Sequence, residues 1–190
     1  MTTHAKQNII GLALSVTFLV ATLVGLISIQ APPQKSATIR VVSAKVSSTP
    51  PATPIPLIGA SFCANRPITY SGSVLYSDQV VTELRGFGFN LVPVDSDAMI
   101  SIRYGKMTGN DLGVTRYIDD SGLMTSAHIS VEPGAPINVV RHEFGHALGL
   151  DHALAAQPSV MQPDINLPRA RNDFTPDDMA ALRTLLAHTC

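Results

Sequence analysis

The stretch RHEFGHALGLDH, residues 141–152, gathers three of the chain's six histidines, a glutamate and two glycines into twelve positions. His142 and His146 are four residues apart, so on a helix both imidazoles lie on one face about one turn apart. Two nitrogen donors so placed can share one zinc ion. Glu143 stands beside His142 and is angled toward the same side, where it can reach a water at the metal without being a ligand. Gly149 falls three residues after His146, and His152 six after it. A helix continued straight would carry His152 away. A glycine can adopt positive φ, end the helix and turn the chain back. The pattern therefore describes three histidine ligands, a fourth position open to water, and a carboxylate placed as general base. The rival use of such a cluster is a zinc-containing binding module without catalysis. Structural zinc sites are usually closed by four protein ligands and need no base, so Glu143 is the residue that separates the two readings.

The pattern H-E-x-x-H-x-x-G-x-x-H, complete from His142 to His152, resembles the zinc motif of the metzincin endopeptidases, in particular the matrixins. That resemblance implies an α+β, zincin-like catalytic domain: a twisted mixed β-sheet, an active-site helix, a methionine turn and a C-terminal helix. It implies one catalytic zinc on His142, His146 and His152, and peptide-bond hydrolysis through a metal-bound water with Glu143 as general base. Met161, nine residues after His152 in PSVMQP, resembles the methionine of that turn, and by resemblance packs under the three imidazoles. FTPDDMAALRTLL resembles the C-terminal helix, and DDSGLMTSAHISVEPG the loop and strand that flank the substrate cleft. The resemblance covers residues 61–190. The expected substrate is a protein or peptide lying extended along the strand Ala127 to Val131. Some parts of the family pattern are missing. FCANRP matches the cysteine-switch sequence poorly, and no matrixin-type propeptide is recognisable upstream. Only His128 corresponds to the ligand set of a second, structural zinc, so that ion is not expected. Asp119 and Asp120 could join a calcium site, although a solvated turn is the simpler reading.

The elements that must position these residues are legible from patterning. Ser77 or Asp78 can cap a helix over QVVTELRG that ends near Gly86 or Gly88. PITYSG, FNLVPV and AMISIRYG read as strands, the last with Ile100, Ile102 and Tyr104 on one face. LMTSAHISV alternates with Leu123, Ala127, Ile129 and Val131 facing one way and Met124, Ser126, His128 and Ser130 the other. A helix is expected from Ile137 through Leu148. A last helix follows Thr175 as N-cap and Pro176 at its first position, with Asp177 and Asp178 at the positive end of the dipole. Its core face would be Met179, Leu182, Leu185 and Leu186.

Upstream, Ile9–Ile29 carries no charge over 21 residues, enough for a transmembrane helix. We read residues 1–8 as a short tail, 9–29 as an uncleaved transmembrane signal anchor, 30–60 as a Pro/Ser/Thr-rich linker, and 61–190 as the metallopeptidase domain. TIRVV in the linker has the composition of a short strand but no obvious partner. Cys63 and Cys190 bracket the domain, which fits a disulfide formed outside the cytoplasm. The expected location is therefore membrane-anchored with the domain external, the alternative being secretion after signal cleavage. Charged residues are only 14% of the chain and the net charge is −1, with no basic block, so no nucleic-acid partner is expected.

Overall fold

The computed structural model describes residues 38–42 and 55–190. The apolar stretch Ile9–Ile29 and most of the linker lie outside those residues. Among the described residues no helix is long and apolar enough to cross a membrane. The fold is α+β, with a six-stranded mixed sheet in the order β1-β5-β6-β4-β2-β3. The strands are β1 (Thr38–Val42), β2 (Ile68–Ser71), β3 (Leu91–Pro93), β4 (Ile100–Tyr104), β5 (Gly113–Asp120) and β6 (Leu123–Val131). Strands β3, β2, β4 and β6 run parallel, while β5 is antiparallel to β6 and β1 antiparallel to β5. Three helices complete the domain: α1 (Ser77–Phe87), α2 (Ile137–Leu148) and α3 (Pro176–Leu186).

The alternation in β4 places Ile100 and Ile102 in the core. Tyr104 departs from the expected face. It is exposed, and its hydroxyl accepts a hydrogen bond from the Leu75 backbone N–H at 2.6 Å. In β6 the expected faces hold only for the C-terminal half. Leu123 is exposed and Met124 is in the core, because the β5–β6 register slips between Ile118 and Asp119. The slip leaves Thr125 as an extra residue on β6, and an extra residue exchanges the two faces of a strand. β6 is also an interior strand, paired with β4 on one side and β5 on the other. A peptide substrate cannot pair along Ala127 to Val131, because those backbone groups already have partners.

Helix α1 ends at Gly88 as the sequence suggested, but its N-cap is Tyr76, with no capping side chain. Ser77 instead lies inside the first turn, its hydroxyl donating to the Val74 carbonyl at 2.9 Å. Helix α3 begins as expected at Thr175, which forms a reciprocal capping box with Asp178. Its buried face is Asp178, Ala181, Leu182 and Leu185, with Met179 and Leu186 only half-buried. Helix α2 is buried from Asn138 to Leu148 and packs on β5, β6 and α1. A helix enclosed on all sides holds its functional side chains with little freedom.

The stretch TIRVV, without an obvious partner in the sequence, is β1 on the outer edge of β5. Residues 55–60 lie against the domain. Ile55 and Ala60 are in the core, Pro56 accepts from Asp151 N–H at 2.9 Å, and Ile58 N–H donates to Gly149 at 3.0 Å. Cys63 and Cys190 are joined in a disulfide, their Cα atoms 5.5 Å apart.

Candidate metal centre

Helix α2 presents His142 and His146 one turn apart, with their Nε2 atoms 2.9 Å from each other. The helix stops at Gly149, whose φ of 120° is open only to glycine. A Cβ there would also come within 2.6 Å of the Ala60 carbonyl oxygen. The turn is closed by Gly149 N–H and Leu150 N–H, both donating to the Gly145 carbonyl. The chain then doubles back and brings His152 Nε2 to 3.1 Å from His146 Nε2. The ligand atoms of the three histidines all lie within 4.8 Å of one another, and theirs is the metal-competent group found among the described residues.

The hydrogen bonds at the far side of two rings decide their tautomers. His142 Nδ1 lies 2.9 Å from the Val160 carbonyl oxygen, and His146 Nδ1 lies 2.8 Å from that of Leu150. A carbonyl only accepts, so each Nδ1 carries the proton and each Nε2 is left with its lone pair. Those lone pairs converge on one another, which is unfavourable unless a cation sits between them. Burial lowers the pKa of all three: His142 to about 4, His146 well below the usual imidazole range, and His152 in the same direction. Neutral imidazoles with converging Nε2 atoms are the donor set zinc requires, so the residues present fit the ion.

The support beneath this cluster runs through Met161 and α3. Met161 is fully buried, and its sulfur fills the space a Cβ on Gly145 would need. Only glycine at 145 lets Met161 lie directly against α2. The Met161 N–H donates to the Ser159 hydroxyl, which in turn donates to the carboxylate of buried Asp178. Asp178 also accepts from the Val160 N–H at 3.2 Å. Val160 is the residue whose carbonyl orients His142, so the first turn of α3 holds the strut behind a proposed ligand.

Glu143 is buried beside the cluster, 4% exposed. The Thr115 hydroxyl lies 2.7 Å from its Oε2 and 3.0 Å from its backbone carbonyl oxygen. Burial pushes the Glu143 carboxyl up to about 8, the Thr115 hydrogen bond works against that rise, and the charge on Asp111 adds to it. Gly113 leaves room for the carboxylate, since a Cβ there would come within 2.6 Å of Oε1. A cavity of about 370 Å³ opens beside it, lined by Leu112, Gly113, His142, Glu143, Gln162 and Ile165 among others.

The structure thus brings together His142, Glu143, His146, His152, Gly149 and Met161. His128 lies elsewhere, exposed on β6 with Nδ1 2.7 Å from the Ser101 hydroxyl. Asp119 Oδ1 accepts from the Gly122 N–H across the β5–β6 turn. Thr115, Gly113 and Asp178 belong to the site but were not read from the sequence as parts of it. The one signal for Thr115 was a polar residue at a position of β5 that faces the core.

Residues 135–187 match the matrixin family model. The matrixin-like segment contains α2, the Met161 turn and α3, which are the parts that carry and brace the histidine cluster. It supports a zinc metallopeptidase at the level of the family. No curated protein and no solved structure matches the chain significantly.

Proposed function

We propose that the protein is a zinc-dependent endopeptidase acting on proteins or peptides. The observation that carries this reading is the convergence of three Nε2 atoms beside a buried carboxylate that lines an open cavity. His142, His146 and His152 would hold the ion. Zinc at such a site supplies Lewis acidity, polarising a peptide carbonyl and making water acidic enough to lose a proton near neutrality. The chain's own part is proton handling. Thr115 holds Glu143 Oε2, leaving Oε1 on the Gly113 side for exchange. Glu143, raised to about 8 by burial, holds its proton at neutral pH in the ion-free chain; beside a bound cation it would ionise, and its carboxylate can then accept a proton from water and deliver it to the departing amine. Met161 and Gly149 are structural in this reading: one braces α2 from below and the other turns His152 inward.

Membrane tethering through Ile9–Ile29, with the domain outside the cytoplasm, belongs to the same proposal. It is supported by the uncharged 21-residue stretch and by the Cys63–Cys190 disulfide.

The test compares wild type with Glu143→Ala on a quenched peptide library, with zinc measured on the same samples. We expect hydrolysis only by wild type and one zinc per chain in both. A folded, zinc-loaded wild type that cleaves nothing would replace this reading with the binding module. A mutant as fast as wild type would remove Glu143 as the base.

A further inference from the structure

We propose that the domain carries a docking surface for an anionic phospholipid bilayer, formed by the turn Val74–Ser77, the end of β4 and the cavity beside them. The docking does not depend on the peptidase reading. Ser77 N–H donates to the Val74 carbonyl at 3.1 Å, which closes a turn with Leu75 and Tyr76 at its centre. Tyr76 has φ 71° and ψ −3°, the values of the third position of a type II turn, where glycine is usual because the conformation strains a bulky residue. Both central residues face solvent, Leu75 52% and Tyr76 41% exposed, and Tyr104, which accepts from the Leu75 N–H, is 47% exposed. Apolar side chains held out on a strained turn gain nothing in water. They gain on entering the boundary between headgroups and acyl chains.

The charge beside this patch selects the kind of bilayer. Tyr104 also lines a cavity of about 350 Å³, together with Arg103, Lys106 and Arg116. The three cations are exposed, and among the described residues none of them forms a side-chain hydrogen bond or an ion pair. Asp111 is the one carboxylate that lines the cavity, while Glu132 accepts from the Met107 N–H. Thr108 and Ser130 add hydroxyls to the wall. Unpaired cations with hydroxyl donors fit an anionic lipid headgroup, and the aromatic and aliphatic side chains at the rim fit the layer beneath it. Each Lys or Arg at an anionic surface strengthens association about five-fold, so three contribute on the order of 100-fold. The cavity shares Asp111 with the one beside Glu143, so a docked domain keeps that second cavity next to the lipid.

The chain contains no tryptophan, so Leu75→Trp supplies a single fluorescent reporter. The full chain is mixed with vesicles of phosphatidylcholine alone or of phosphatidylcholine with added phosphatidylserine, each with and without brominated acyl chains. We expect a blue-shifted emission that brominated chains quench on the phosphatidylserine vesicles. In Arg103→Gln/Lys106→Gln/Arg116→Gln the docked-to-free ratio should fall on the order of 100-fold. Those side chains are exposed, and circular dichroism matching the parent confirms the fold of the variant. Equal quenching on the two kinds of vesicle, or a triple variant that docks as well as its parent, would overturn the proposal. An emission that inorganic phosphate shifts and vesicles do not would assign the cavity to a free anion and overturn it too. Sedimentation of the same samples reads membrane tethering separately. A chain that sediments with phosphatidylcholine vesicles, while its indole stays unquenched on phosphatidylserine, refutes the docking and leaves the tether standing.

Discussion

Burial sets the protonation states of the site in opposite directions. His142 is lowered to about 4, and His146 and His152 are lowered as well, all chiefly by desolvation of the imidazolium. For these bases the native state prefers the neutral form. Their contribution to stability is present above the unfolded value of 6.5 and is lost as pH falls toward the folded values. Glu143 is raised from 4.5 to about 8, so its contribution is present below 4.5 and is lost as pH rises through about 8. With three imidazoles against one carboxyl, the metal-free domain should be most stable near pH 6.5 and melt earlier on both sides. Thermal unfolding in chelator across pH 4 to 9 checks this, and a monotonic profile would contradict it. A second prediction concerns Thr115. Thr115→Val removes the donor to Glu143 Oε2 while keeping shape, and Thr115→Ser restores it. We expect kcat/KM to fall about ten-fold for valine, as for the loss of one hydrogen bond to a charged group, and to recover for serine.

Helix α2 depends on Arg141, a residue next to the first proposed ligand that the zinc motif does not include. Arg141 is 5% exposed. Its Nε and Nη2 donate to the two oxygens of Glu83 on α1 at 2.8 and 2.6 Å, and its Nη1 donates to the Asn172 carbonyl at 2.6 Å. This bidentate pair ties α2 to α1 and to the segment that leads into α3. The Arg141 guanidinium holds Glu83 below the usual carboxylate range. For a lowered carboxyl the contribution is present above the unfolded value of 4.5 and is lost as pH falls through the lower folded value. Glu83→Gln keeps shape but leaves the buried guanidinium with only the exposed carboxylate of Asp173, 3.1 Å from its Nη1, as an anion partner. It should cost about 1–3 kcal/mol by urea unfolding, with part of that loss recovered in Glu83→Asp. An unchanged midpoint would mean that the pair contributes nothing net.

At the scale of the whole molecule, the disulfide joins residues 127 positions apart and so closes nearly the full length of the domain. In the chain-entropy model a closure of that length restricts the unfolded state by about 5 kcal/mol. Cys63→Ala/Cys190→Ala should lower unfolding stability by up to that amount, measured by chemical denaturation of the oxidised wild type beside the double variant. Both proteins should still bind one zinc, because the metal-competent group consists of His142, His146 and His152 and neither cysteine belongs to it. Loss of zinc in a variant that remains folded would show that the closure also shapes the site.

Most of the candidate site was legible in the sequence because its geometry is local. His142, Glu143 and His146 sit within one and a half turns of a single helix, and Gly149 and His152 follow within six residues. Helical periodicity and the conformational freedom of glycine are enough to place such neighbours. The same holds for the Thr175 cap of α3, where side chain and backbone partner lie three residues apart. What the tertiary structure decided were pairings across long separations, for which the chain carries no local signal. Thr115 meets Glu143, Glu83 meets Arg141, and Asp178 braces the carbonyl behind His142. The faces of β6 also required the structure, because one inserted residue at Thr125 exchanges them and no periodicity reports an insertion. The role of TIRVV is the largest such case. Its composition marks a strand, but a strand's partner is chosen by which edge the folded sheet leaves open, and that edge exists only once β5 has paired with β6.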